Sequence, residues 1–276
     1  MRLPRWLSRS VARAKPVVPA RAWPALLTIR SLVGERPLVG LPGFRSVLVV
    51  APHPDDESVG AGGTIRLLAD AGASVTVLFA TSGEATIGAP DEPEEVSSRR
   101  RSEAMAACRL LGATPRFLDH PDGGLSAATE SLAREMGAAV GELRPEAVFL
   151  PWFADGHPDH EACTVALAKS GIDPRVEIWG FETWTPLPAN RVVDITPAIG
   201  AKRAAVAAHS TAHLAFDLGA LLGLSRYRSV HGLMGQGYAE AFLAAPAGQY
   251  LELAGGARAA AQERSGPADA RLQRGN

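Results

Sequence analysis

Residues 47–57 read Val-Leu-Val-Val-Ala-Pro-His-Pro-Asp-Asp-Glu, and this stretch decides the fold class. Its first five residues form an unbroken apolar run of strand length, the pattern of a strand covered on both faces. Pro52 ends the run. His53, Asp55, Asp56 and Glu57 then place one imidazole and three carboxylates within five residues. Downstream, a helical stretch is expected around Thr64 to Asp70. Ser74 to Thr81 repeats the strand pattern, and a helix from about Ser97 to Leu111 ends at Gly112, a residue suited to a helix C-terminus. Arg116 to Leu118 reads as a short strand, Glu130 to Leu143 as a helix, Ala147 to Pro151 as a buried strand and Asp159 to Lys169 as a helix. Val176 to Phe181 and Val192 to Ile195 add strands, and Pro197 to His209 a helix. Strand and helix in alternation predict an α/β fold of the Rossmann-like, doubly wound kind, its mostly parallel sheet covered by helices on both faces.

This pattern occupies residues 45–250, which are expected to form the catalytic domain. Residues 1–44 are rich in Arg, Pro and Ala and read as an extension. Residues 1–45 hold nine Lys and Arg against Glu35 alone, although the whole chain of 276 residues has a formal net charge of -1. Between Pro4 and Pro16, Arg2, Arg5, Arg9 and Arg13 recur opposite Trp6, Leu7 and Val11. That makes a short basic amphipathic segment, with weak contact to a membrane surface as one expected role. Residues 251–276 are a Gly, Ala, Arg and Gln mixture with little to bury and are expected to be a disordered tail. The near-zero net charge gives no field that favours nucleic acid. Two cysteines, Cys108 and Cys163, cannot build a disulfide framework or a thiolate metal site. With no apolar run of the ~18 residues a spanning helix needs and no continuous apolar core in the N-terminal segment, a cytoplasmic location is expected. Oligomeric state is not legible.

In doubly wound sheets, ligands bind at the carboxyl ends of the strands. Two reactive clusters fall there. The first is Pro52 to Glu57. The second, Asp155-Gly-His-Pro-Asp-His160, follows the Ala147 to Pro151 strand. Imidazole and carboxylate are the ligands zinc takes where no thiolate is offered, and they also accept ferrous iron. Three such ligands leave a position for water, and an unligated carboxylate nearby can take that water's proton, so metal-assisted hydrolysis is the reaction class implied. Asp55 and Asp56 could instead cap the next helix. A serine hydrolase is disfavoured by the lack of a Gly-x-Ser-x-Gly elbow. A phosphate-binding reading fails because Gly60-Ala-Gly-Gly63 lacks the required spacing and follows acidic residues.

On these motifs the sequence resembles the LmbE-like or PIG-L superfamily of metal-dependent N-acetylglucosamine deacetylases. Pro52-His-Pro-Asp-Asp-Glu57 with the Gly-rich turn Gly60 to Gly63 matches the first family motif, and His157-Pro-Asp-His160 the second. Thr81 to Glu84, the Arg100 to Gly112 helix, Pro121-Asp-Gly123, Trp184 to Pro188, Val193 to Ile195 and Lys202 to His209 extend the similarity over about Ser46 to Phe242. The resemblance implies that His53, Asp56 and His160 hold the metal, zinc or alternatively Fe2+. It makes Asp55 the general base and His157 the electrophilic or acid residue. Asp159 becomes an orienter of an imidazole. Arg100 becomes a contact to the sugar, though Arg99, Arg100 and Arg101 are consecutive and only helix phase decides which faces the site. Asp155 stands where some members have tyrosine and is expected to touch a cationic or hydroxyl-rich substrate, or else only to hydrogen-bond the loop. The implied substrate is a small amino-sugar conjugate. Hydrolysis of another small amide or acyl group, and a non-catalytic binding protein on the same fold, are the alternatives.

Overall fold

The computed structural model describes Val33 and residues 37–264, except 88, 90–91, 213 and 215–216. The basic segment between Pro4 and Pro16 lies outside the described residues. Eight strands form one sheet: β1 Leu38–Val39, β2 Ser46–Ala51, β3 Ser74–Thr81, β4 Thr114–His120, β5 Ala147–Pro151, β6 Glu177–Phe181, β7 Arg191–Asp194 and β8 Ala239–Pro246. Their order is β1-β7-β8-β6-β5-β2-β3-β4. Every pairing is parallel except those of β8, which runs antiparallel to both β6 and β7. Seven helices of two or more turns accompany the strands among the described residues: α1 Asp56–Asp70, α2 Pro93–Leu111, α3 Thr129–Leu143, α4 Pro158–Lys169, α5 Ile199–Ala208, α6 Leu218–Arg228 and α7 Ala247–Arg264.

The apolar run that opens the sequence reading is fully buried because it serves two cores. Successive strand side chains point to opposite faces. Leu48 and Val50 meet Leu132, Met136, Cys163, Leu167 and Tyr250 from α3, α4 and α7. Val47, Val49 and Ala51 meet Ile65, Leu68, Ala107, Leu111 and Ala205 from α1, α2 and α5. The doubly wound architecture expected from the sequence is the one observed.

Three local expectations are corrected. Helix α1 begins at Asp56, eight residues before the expected stretch, so Gly60 to Gly63 lie inside a helix rather than in a turn. A Cβ at Gly60 would stand 2.1 Å from the Phe181 ring, and one at Gly63 would stand 2.6 Å from Cβ of Ile195. These glycines let the helix lie directly on the sheet, which offsets their poor helix propensity. The second correction is β8, which the alternation missed. It inserts between β6 and β7 and carries the buried Glu240, whose carboxylate accepts from the backbone N–H of Gly63 (2.9 Å) and Thr64 (2.8 Å). Lys202 of α5 donates to the same carboxylate (2.6 Å) and to the Val59 carbonyl (2.7 Å), pinning α1 from two elements. Third, α7 carries order through Arg264, into the segment expected to be a disordered tail. Tyr250, Leu253 and Ala254 are buried and Ala257 packs beside them, a one-sided helical spacing. Among the described residues no helix is long and apolar enough to cross a membrane.

Candidate metal centre

Four loops leave the carboxyl ends of parallel strands β2, β4, β5 and β6 and converge on one point. His53 follows β2, and its backbone N–H donates to Asp56 Oδ2 at 2.9 Å, which draws the carboxylate back over the loop. His160 comes from the first turn of α4. The atoms Asp56 Oδ2, His53 Nδ1 and His160 Nε2 form a near-equilateral triangle with sides of 3.3, 3.3 and 3.4 Å. Ligand atoms about 2.0–2.1 Å from a tetrahedral ion lie roughly 3.4 Å apart, so this donor set fits one divalent ion with a fourth position open. His157 is close enough that its ring nitrogen, with those of His53 and His160, also forms a group able to hold a metal, as do His53, Asp122 and Asp159. The His53, Asp56 and His160 triangle mixes two imidazoles with one anion.

The electrostatics match that geometry. Burial alone would raise the Asp56 carboxyl, but His160 and His53 outweigh it and hold it well below its ordinary value. Burial opposes charge on His160 as well, yet the Asp56 charge and the Asp155 hydrogen bond push it up to about 9. His53 is also raised: burial works against it and is overcome by the hydrogen bonds it donates to Asp122, Asp159 and Asp56. Without an ion the cluster therefore holds protons in its place.

Each of the two histidines has a carboxylate on its other nitrogen. His53 Nε2 lies 3.3 Å from Asp159 Oδ2 and 3.1 Å from Asp122 Oδ1. His160 Nδ1 lies 2.7 Å from Asp155 Oδ2. Such outer partners fix ring orientation and tautomer. Asp159 is fully buried and also accepts from the backbone N–H of Gly123 (2.8 Å) and Leu125 (3.2 Å). It thus ties the start of α4 both to the β4 loop and to the imidazole of the β2 loop.

Asp55 precedes α1 at φ 157°, a backbone conformation rare for L residues, and makes no capping hydrogen bond of its own. Its half-buried carboxyl is pushed by burial up to about 6, with the Arg100 guanidinium pulling the other way. His157, not Asp55, is the cap of a helix here: its Nδ1 accepts from the Asp159 N–H at 3.2 Å at the start of α4. Accepting at Nδ1 leaves the ring proton of the neutral form on Nε2. Burial and the neighbouring His53 and His160 lower the His157 pKa, which favours that neutral form.

Residues 48–170 match a family profile described as PIG-L, GlcNAc-PI de-N-acetylase. A diacetylchitobiose deacetylase of Thermococcus kodakarensis is 32% identical over 191 residues, covering 60% of this chain and 70% of that protein. The chain belongs to the PIG-L family. A 1D-myo-inositol 2-acetamido-2-deoxy-alpha-D-glucopyranoside deacetylase of Kineococcus radiotolerans is 29% identical over 70% of this chain and 80% of its own length. The N,N'-diacetylchitobiose deacetylase of Pyrococcus horikoshii shares the fold, with a TM-score of 0.62, 22% identity and coverage of 84% of this chain and 96% of that one.

Within this PIG-L chain, two residues expected to touch substrate are occupied otherwise. Asp155 is 1% exposed. Besides His160 it accepts from the Thr183 hydroxyl (2.7 Å) and the backbone N–H groups of Thr183 (3.4 Å), Trp184 (3.0 Å) and Thr185 (3.1 Å). No acceptor capacity faces outward, so it holds His160 and the β6 loop rather than a ligand. Arg100 is the arginine whose helix phase turns it to the site, whereas Arg101 turns to Asp119 and the Phe117 ring. The Arg100 guanidinium donates to the carbonyls of Pro54 (2.7 Å) and Gly83 (3.0 Å), the Thr86 hydroxyl (2.9 Å) and Asp55 Oδ1 (3.1 Å). These contacts position Asp55 and its loop. Asp122 and Thr183 are site residues the sequence reading passed over. Asp122 had a usable signal, an acid in a Gly turn directly after a strand.

Proposed function

We propose that the chain is a metal-dependent N-deacetylase that removes the acetyl group from an N-acetylglucosamine-type sugar conjugate. His53, Asp56 and His160 are its metal ligands, zinc being the first expectation and Fe2+ the second. The observation that carries the reading is the triangle of donor atoms with the Asp55 carboxyl one residue from its anionic corner. When bound, the ion supplies Lewis acidity to the amide carbonyl and lowers the pKa of water. Asp55 takes the proton of the attacking water. Raised to about 6, it is ionised at neutral pH yet more basic than an ordinary carboxylate, as a general base should be. Arg100 fixes its position through Oδ1. His157 offers its Nε2 proton to the oxygen that gains charge, or to the departing amine. Asp159 and Asp155 hold the two ligand imidazoles from behind. The buried, free thiols of Cys108 and Cys163 are compatible with a reducing, cytoplasmic setting.

An acetate-release assay over a panel of N-acetylglucosaminyl conjugates, with Zn2+ or Fe2+ added, tests the reading. Asp55→Ala is expected to abolish turnover and keep its metal, while His160→Ala loses metal. Full turnover by Asp55→Ala would overturn the assignment, and acetate release from simple amides but from no sugar conjugate would move it to another substrate class.

A further inference from the structure

The edge of the sheet formed by β1 lies far from the metal centre in strand order and exposes a second feature. Leu38, Val39 and Leu41 are 64%, 48% and 41% exposed, and Val230 and Met234, in the turn after α6, are 55% and 85% exposed. The two groups meet: a Cβ on Gly232 would stand 2.7 Å from a methyl of Val39. Single exposed apolar side chains are ordinary, but several gathered on one edge mark a contact surface. Met234 adds an independent sign. It holds a bulky side chain at φ 54°, in the left-handed region, with almost no burial to compensate.

Charge identifies the partner. Residues 36–44 and 218–239, the sequence around the patch, contain no carboxylate and have Arg36 and the exposed Arg226 as bases, Arg228 being buried against Glu182, although residues 46–276 carry nine more acids than bases. The sequence leading into β1, residues 1–36, adds seven further Lys and Arg against Glu35, with Trp6 and Trp23 among them. Basic and aromatic residues beside an apolar patch are the composition of a lipid interface. A second copy of the chain is a poorer partner, because a two-fold interface would set these bases against their own copies.

We propose that this edge docks on the surface of an anionic phospholipid bilayer. Leu38, Leu41, Val230 and Met234 enter the interfacial layer and Arg226 meets the headgroup phosphates, the basic composition of residues 1–36 favouring the same anionic surface. The test uses the full chain, sedimented with vesicles of phosphatidylcholine alone or with added phosphatidylglycerol, at low and high salt. Binding is expected on the anionic vesicles only, and high salt lowers it at least about fivefold. The double variant Leu38→Ser, Met234→Gly is expected to cut the bound fraction about tenfold, with turnover of a soluble substrate unchanged. Glycine relieves the backbone at position 234, so the melting temperature holds or rises, which separates lost docking from unfolding. Equal sedimentation of the variant and the parent chain would overturn the proposal. So would indifference of the parent to both vesicle types, or conversion of a dimer to a monomer by the variant on size exclusion.

Discussion

His53 and His160 aim at the same point and are supported in opposite ways. His53, in a loop directly after β2, uses its near nitrogen Nδ1, and two carboxylates from two different segments, Asp159 of α4 and Asp122 of the β4 loop, stand behind Nε2. His160, on the first turn of α4, reaches in with its far nitrogen Nε2, and among the described residues Asp155 alone sets a carboxylate behind Nδ1. That single carboxylate also gathers three backbone N–H groups and a hydroxyl of the β6 loop. The support of His53 is shared, so losing one member leaves another. The support of His160 is concentrated, so one residue carries both ligand orientation and loop closure.

The largest expected effect therefore comes from Asp155→Ala. It strands the buried His160 N–H, for which the unpaired state costs about 1–3 kcal/mol, and frees the part-buried donors of Thr183, Trp184 and Thr185, which water can reach at a smaller cost. Metal affinity is expected to fall about 100-fold, the upper end for loss of an outer-sphere partner, together with a marked drop in melting temperature. Calorimetric metal titration and thermal denaturation check both, and a variant that keeps its affinity would show the concentrated support to be an illusion of the geometry. Asp159→Ala should lower affinity only about tenfold, because Asp122 still faces His53 Nε2. The sharper measurement is the double variant Asp122→Ala, Asp159→Ala: shared support predicts a loss greater than the product of the two single losses.

The same contrast explains what could be read in advance. The five-residue run Val47 to Ala51 exposes its two-faced burial in its composition alone, and the acids after Ala51 and Pro151 locate the site because a parallel sheet brings those strand ends together. Ligand identity is a local property of residue type and spacing. Outer-sphere identity is not. Whether Asp155 faces a ligand or the protein depends on where the β6 loop, 28 to 30 residues later, delivers its N–H groups, and no pattern around Asp155 encodes that. The glycines of α1 were misread for a similar reason: their need comes from Phe181 and Ile195, which pack on them from distant strands. Strand β8 escaped because an antiparallel strand inserted between two parallel ones breaks the strand and helix alternation that served for the rest.

Proton competition ranks next, with about a tenfold change in metal affinity per pH unit for each proton displaced. His160, raised to about 9 in the absence of an ion, and His53, also raised, must both lose protons to coordinate. Affinity should thus climb from pH 6 through 8, with protons released on binding, and the share due to His160 should flatten above about 9. A pH-independent affinity would mean that the imidazoles are already neutral.

Thr183→Val should produce the smallest effect and separate the two functions of Asp155. The Thr183 hydroxyl donates to Asp155 Oδ2 at 2.7 Å and lies 3.2 Å from His160 Nδ1. Burial raises the Asp155 carboxyl, but the hydrogen bonds from His160 and Thr183 hold it below its ordinary value. Removing the hydroxyl leaves the carboxylate to bond His160 more strongly, which favours the imidazolium and raises the His160 pKa further. The proton then competes better, so metal affinity at pH 7 should fall about threefold, a fraction of one pKa unit. Above about pH 10.5 His160 is largely neutral in both proteins and the difference should vanish. A loss that persists at high pH would assign Thr183 to ring orientation rather than to the charge on His160, and the concentrated support behind this histidine would then be steric as well as electrostatic.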